Sequence, residues 1–165
     1  MSVENGRANA PGGQANSDDF YRRLYDDKAE YVARRDDTSL EARLIRLEVE
    51  AFKVPNLIAA IPHGFDYSSV VEIGCATGEL LAAFPAPAGA RKVGFDISKE
   101  NIACARVRHP GIEFHNSDFH EFEGCADVVV LSDVLEHVPD DRGMLRDAGR
   151  LGRVVLVNLP LEDNW

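Results

Sequence analysis

The stretch Val70 to Leu81, VVEIGCATGELL, constrains this chain more than any other part of it. It opens with a short apolar, β-branched run and reaches an acid at Glu72. Gly74 and Gly78 then frame a tight turn, and apolar residues resume at Leu80. That order reads as a buried parallel strand feeding a ligand loop and then a helix. Gly74 permits the sharp exit from the strand, and Gly78 lets the backbone come close to a ligand. A helix beginning near Glu79 points its free N–H groups at the occupant of the loop.

Strand and helix signals alternate downstream. Val93 to Ser98 (VGFDIS) predicts a second strand ending in Asp96, with Ser98 as the cap of the next helix. Ile112 to Phe119 predicts a third strand whose exit carries Asp118, and Asp127 to Val138 a fourth strand and its exit. Gly152 to Pro160 (GRVVLVNLP) predicts a fifth strand, with Gly152 as the C-cap of the helix before it. Such alternation implies an α/β domain with a parallel sheet and right-handed crossovers. The glycine loop and the acids then gather at the carboxyl edge, where a topological switch point opens a crevice. A dinucleotide fingerprint is not met, because Ala76 holds the middle glycine position and Glu79 the third. Glu72 and Glu79 suit a ligand carrying positive charge better than a pyrophosphate. An acid at the end of the second strand is placed to accept both hydroxyls of a ribose.

Glu72-Ile73-Gly74-Cys75-Ala76-Thr77-Gly78 resembles motif I of the class I S-adenosylmethionine-dependent methyltransferases, with Ala76 in place of the middle glycine. The resemblance covers roughly residues 68 to 160. It implies a doubly wound, Rossmann-like sheet in the order 3-2-1-4-5 and S-adenosylmethionine as cosubstrate. On the same basis Glu72, Gly74, Cys75, Ala76 and Gly78 form the cosubstrate loop, and Asp96, followed by Ile97, takes the ribose. Asp118 takes the adenine amino group, with the backbone N–H of Phe119 beside it. The fourth-strand exit around Ser132 faces the methionine part. The implied reaction is methyl transfer to an O, N or C atom of a small-molecule acceptor. His137 is the candidate general base for an O or N acceptor. Plainer roles exist for single residues: Asp96 and Asp118 as helix caps, and His137 as a packed loop residue. A non-catalytic S-adenosylmethionine-binding protein and an NAD-dependent oxidoreductase are the alternatives.

The N-terminal third reads differently. Residues 1–17, rich in Gly, Asn, Ala and Pro, read as a disordered or linker segment. Residues 18–66 read as a helical cap. A first helix starts near Phe20 behind Asp18-Asp19, and a second runs from Ser39 or Leu40 to about Lys53. Pro55 breaks or restarts it, and Leu57 to Ile61 forms a short apolar helix. This segment resembles the variable cap of small-molecule methyltransferases, which implies Tyr21, Tyr25 and Arg22 as acceptor contacts; simple packing on the core is the other reading of the tyrosines. Residues 67–165 form the cosubstrate domain. The family's sheet continues for two more strands, so a chain ending at Trp165 reads as truncated. An uncovered fifth strand predicts aggregation, a homodimer through that edge, or a longer parent chain.

Charge and cysteines close off several classes. The formal net charge is −10, with −3 before residue 70 and −7 from there on. So acidic a chain is poorly suited to binding a phosphate backbone unaided, which makes a nucleic-acid partner an unfavoured expectation. No run approaches the roughly 20 apolar residues of a membrane span, and the polar N-terminus lacks the apolar core of a signal peptide. Cys75, Cys104 and Cys125 are widely spaced with no CxxC pair. They predict no metal site and suit a reducing, cytoplasmic setting.

Overall fold

A computed structural model describes residues 39–160. The linker of residues 1–17 and the helix expected from Phe20, with Tyr21, Arg22 and Tyr25, lie outside the described residues. Five parallel strands make one sheet: β1 (Ser69–Ile73), β2 (Arg91–Phe95), β3 (Glu113–His115), β4 (Ala126–Ser132) and β5 (Gly152–Asn158). Their order is β3-β2-β1-β4-β5, as the resemblance implies. The switch point therefore falls between β1 and β4, paired in register from Val70 opposite Val128 to Ile73 opposite Leu131. Together the alternation and the order make this the Rossmann-like fold of class I methyltransferases.

Apolar residues at alternate positions of the strands feed two different cores. On one face Val70, Val128, Val130 and Leu156 pack with Leu81, Phe84, Ile102 and Phe114. On the other, Val71, Ile73, Phe95, Val129 and Leu131 pack with Ala148 and Leu151. Burial of both faces is what near-continuous Val and Ile runs encode. Beneath the sheet's opposite edge, Asp127 accepts bonds from the backbone N–H groups of Ser68 (2.8 Å) and Ser69 (3.2 Å) and pairs with Arg153 at 2.9 Å. Those donors hold its carboxyl well below the ordinary range and tie β1, β4 and β5 together at their starts.

Helices α1 (Leu40–Glu48) and α2 (Val54–Ala59) join through a π-helical turn, Val49–Lys53. Ser39 caps α1 by accepting from the Ala42 N–H at 3.1 Å. The expected break at Pro55 is instead an accommodation. Pro55 lacks an N–H and crowds the carbonyl four residues back, and the turn before it widens so that the Val54 N–H bonds the Val49 carbonyl. Such π turns are frequent at functional sites. Three further helices follow in the chain: α3 (Glu79–Ala83) after β1, α4 (Lys99–Arg108) after β2, and α5 (Asp141–Leu151) before β5. Lys92 donates to the Ala82 and Phe84 carbonyls at 3.1 and 2.6 Å, capping the C-terminal end of α3.

Gly152 takes its expected place as the C-cap of α5, with its N–H bonded to the Ala148 carbonyl. Its backbone is extended rather than left-handed, so the same residue opens β5. The glycine is required because a Cβ there would lie 2.5 Å from the Val129 side chain.

Candidate functional site

The loop between β1 and α3 is built from three left-handed residues, Gly74 (φ 74°), Ala76 (φ 45°) and Gly78 (φ 86°). Consecutive N–H groups of Gly74 and Cys75 both donate to the Phe95 carbonyl, at 2.8 and 2.9 Å, locking the loop onto the end of β2. A Cβ on Gly74 would lie 2.6 Å from the Val134 side chain, so the exits of β1 and β4 touch there. At Gly78 the added atom would meet the Phe114 ring at 2.7 Å. The second glycine is thus demanded by its φ and by packing on Phe114. Cys75 is buried, and burial pushes its thiol far above its ordinary range. It serves the loop as a small apolar residue.

Asp96 stands at the end of β2 and joins two elements. Its Oδ2 accepts from the Ala76 N–H and its Oδ1 from the Ser98 N–H, both at 2.8 Å. Ser98 in turn caps α4 by accepting from the Asn101 N–H at 3.3 Å. The cap and ligand readings of Asp96 are therefore not exclusive: the carboxylate organises the loop and faces the edge. Ile97 beside it exposes 40% of its surface, which is unusual for an isoleucine and leaves an apolar shelf next to the acid.

Past β3, Asp118 caps the short turn Phe119–Glu121 through the His120 N–H at 3.1 Å. His120 Nδ1 lies 2.5 Å from Asp118 Oδ1, and its Nε2 lies 3.0 Å from Asp147 on α5. Burial alone would lower the His120 pKa, but the bonds to Asp147 and Asp118 outweigh it and raise the value. Phe119 is buried in the core beneath.

The two acids of the loop differ sharply. Glu79, expected to favour a cationic ligand, is already neutralised: Arg108 at the end of α4 binds its Oε1 at 2.6 Å, and the Thr77 hydroxyl donates to its Oε2. Glu72 is not neutralised in this way. It is 3% exposed, and its Oε2 is buried without a hydrogen-bond partner. Burial raises its pKa well above the ordinary range, with Asp96 and Glu79 adding to the shift; the Leu81 backbone N–H and the charge of Lys53 oppose it. Burial thus favours the neutral, protonated form of Glu72 beneath the loop.

The exit of β4 carries a cluster that sequence reasoning missed. Asp133 adopts φ 55°, rare outside glycine. Its N–H donates to the Asn158 carbonyl at 3.0 Å, and Asn158 Nδ2 donates to its Oδ1 at 3.2 Å. Ser132, an expected site residue, is 9% exposed and donates to Asp133 Oδ2 at 3.3 Å. Lys53, from the π turn, reaches the same oxygen at 2.6 Å and Glu48 at 3.0 Å. Burial disfavours its charge, but the bonds to Asp133 and Glu48 outweigh that and raise its pKa. Nothing in the local sequence marks Lys53, because its partner lies 80 residues away. The π turn is the feature that could have drawn attention to it, and it is invisible before the fold is seen. His137 follows on the turn Leu135–His137, with Nε2 3.8 Å from Glu136 and its side chain 43% exposed. Among the described residues no cluster of three His, Cys, Asp or Glu side chains could hold a metal.

Glu72, the glycine loop, Asp96, Asp118 and Ser132 thus lie along one sheet edge, astride the switch point. The profile of a methyltransferase domain matches residues 20–163, most of the chain. The chain belongs to the methyltransferase-domain family. A demethylmenaquinone methyltransferase of Chlorobaculum parvum is 35% identical over 69 residues, covering 42% of this chain and 26% of that one. A ubiquinone biosynthesis O-methyltransferase of Sodalis glossinidius is 34% identical over 91 residues, 50% of this chain and 36% of that one. The matched segments thus span well under two thirds of those relatives. The magnesium protoporphyrin IX methyltransferase of Synechocystis PCC 6803, crystallised with bound S-adenosylmethionine, has a TM-score of 0.64 at 20% identity over 88% of this chain and 77% of that one. That likeness bears out the fold of the methyltransferase domain.

Proposed function

We propose that this domain binds S-adenosylmethionine and transfers its methyl group to an O, N or C atom of a small-molecule acceptor. The observation carrying this reading is Asp96, which faces the carboxyl edge while bonded to the Ala76 N–H of the glycine loop at 2.8 Å. A ribose-binding acid and a loop for the adjoining chain are thereby fixed in one rigid unit. The Glu72 Oε2, buried beneath the loop without a hydrogen-bond partner, supports the reading as a polar atom that a bound ligand can satisfy. The named activities of the relatives, on demethylmenaquinone and in ubiquinone biosynthesis, support a small organic acceptor.

When bound, the cosubstrate supplies a methyl group on a sulfonium, open to in-line displacement. The protein's part is alignment of the two reactants, which is worth up to about 7–11 kcal/mol in well-oriented systems. Ser132 and the loop carbonyl edge orient the methyl donor, and Asp118 with Phe119 receives the adenine. His137 accepts the proton of a hydroxyl or amine acceptor, and Tyr21 and Tyr25 contribute to the acceptor pocket. Three free thiols, with Cys125 exposed, support a reducing cytoplasm. Among the described residues no helix is long and apolar enough to cross a membrane. The outer edge of β5, with Val157 and Leu159 exposed, favours pairing with a second copy.

Calorimetry with S-adenosylmethionine, S-adenosylhomocysteine and NAD tests the binding. Heat with the first two and none with NAD is expected; the reverse defeats the reading. A labelled-methyl assay over phenols, quinols, amines and carboxylic acids then tests transfer. Binding without turnover on any of them favours the non-catalytic alternative. With an active hydroxyl acceptor, His137→Ala lowers kcat by about 10²–10⁴-fold and leaves cosubstrate affinity intact. An unchanged rate removes His137 from the chemistry.

A further inference from the structure

The ring of His120 bridges two carboxylates that belong to different elements. Its Nδ1 lies 2.5 Å from Asp118 Oδ1 on the turn after β3, and its Nε2 lies 3.0 Å from Asp147 Oδ2 on α5. Ionised carboxylates only accept hydrogen bonds, and a neutral imidazole carries a single N–H. Both contacts are therefore hydrogen bonds only when the ring is an imidazolium. The charged groups that face it come from those two elements. Asp118 stands on its own turn and Asp147 on α5, and behind Asp147 are Arg150, bonded to its Oδ1 at 2.9 Å, and Arg146. Burial opposes the charge on the ring, but the bonds to Asp147 and Asp118 outweigh it, so the proton is held above the ordinary histidine range.

What the bridge secures is Asp118. That acid precedes a turn of only three residues, Phe119–Glu121, and its side chain is 58% exposed. Left to itself, a carboxylate so placed samples several rotamers. Here its Oδ1 takes both the His120 backbone N–H, at 3.1 Å, and the ring. One oxygen is thereby fixed, and Oδ2 is left to a ligand. The His120 ring also packs 4.0 Å from the ring of buried Phe119. The turn is moored to the core through Phe119 and to α5 through Asp147.

Resting on the proposed function, in which Asp118 meets the adenine amino group, we propose that His120 is a positioning residue for the cosubstrate: as an imidazolium it clamps Asp118 to α5 and presents the second oxygen of that acid, already oriented, to the nucleobase. Fixing the acid beforehand removes its ordering cost at binding. Loss of the proton breaks one arm of the bridge and lets the acid rotate. Affinity for an adenosine ligand is then highest below the His120 pKa and falls as pH rises through it.

The test is calorimetry of S-adenosylhomocysteine on the full chain from about pH 5.5 to about pH 8.5, a span that contains the ordinary histidine range. Circular dichroism verifies folding of each variant. Wild-type affinity falls roughly 2- to 10-fold across the span, the worth of one net hydrogen bond. His120→Ala removes that fall and binds with the weaker affinity throughout. Asp147→Asn takes away a charge that stabilises the imidazolium, so the fall moves to lower pH. In an Asp118→Ala background, His120→Ala adds no further loss. A pH profile that His120→Ala leaves unchanged overturns the proposal, as does affinity that rises with pH, which means that the ring competes with adenine for Asp118. So does a profile that Asp147→Asn does not move, or a His120→Ala loss of the same size with and without Asp118. A wild type that binds S-adenosylhomocysteine at no pH defeats the proposed function itself, and the role of His120 with it.

Discussion

Replacing Asp96 by alanine separates the structural role of this acid from its role toward a ligand. The substitution removes two charged acceptors, each 2.8 Å from a backbone N–H. The two orphaned donors fare differently. Ala76 is exposed, so water replaces the lost bond and the cost is about 0.5–1.5 kcal/mol. Ser98 is 0% exposed, and its N–H loses its partner away from solvent, which costs about 1–3 kcal/mol. The sum, roughly 2–4 kcal/mol, is a large part of the ~5–15 kcal/mol that holds a domain of this kind, yet leaves it folded. Asp96→Asn keeps one oxygen acceptor and should lose about half as much. Urea unfolding reads the stability, with an unchanged m-value expected. Calorimetry on the folded variants reads binding, which should weaken at least tenfold (about 1.4 kcal/mol) for S-adenosylmethionine in Asp96→Ala. A stability loss below about 0.5 kcal/mol would refute the account of the loop. A full stability loss with unaltered affinity would refute the ribose assignment alone.

Three other substitutions probe the loop and the acid beneath it. Gly74→Val meets both the left-handed strain of about 1–2 kcal/mol and overpacking on Val134 of about 1–3 kcal/mol. Ala76→Gly relieves strain at φ 45° and should be neutral or stabilising by less than ~1 kcal/mol; equal, small effects in urea titrations would refute this reading. Glu72→Gln tests proton linkage. Because the folded-state pKa of Glu72 is raised, the native state holds a proton that the unfolded chain has lost, so stability falls as pH rises from the ordinary glutamate range toward the raised value. The variant lacks that slope, so its stability relative to wild type should climb across this interval and stay level below it; a difference independent of pH would disprove the buried, protonated Glu72.

The sequence by itself determined what is encoded locally. The run Val70 to Ile73 is β-branched and apolar because both faces of its strand are covered, and the glycines after it sit where the backbone turns left-handed. Ser98 caps a helix as its position suggested, and Ser39 caps the helix expected to start at it or at Leu40. The acids at strand ends were legible for the same reason: a parallel βα unit puts its strand exits on one edge whatever the rest of the chain does. What lay beyond the sequence was every property set by distant neighbours. Asp96 and Asp118 could be named, but not their engagement with Ala76 and His120. Glu79 looked like a free charge until Arg108, 29 residues on, closed over it. The pairing of Lys53 with Asp133 spans 80 residues and needs β4 beside β1, an order that no local pattern specifies. The isolation of Glu72 is of the same kind, for a pKa follows from how much water and which charges the tertiary fold leaves around a group. Local chemistry chose the elements and their edge, while packing chose which charges at that edge remain open to a ligand.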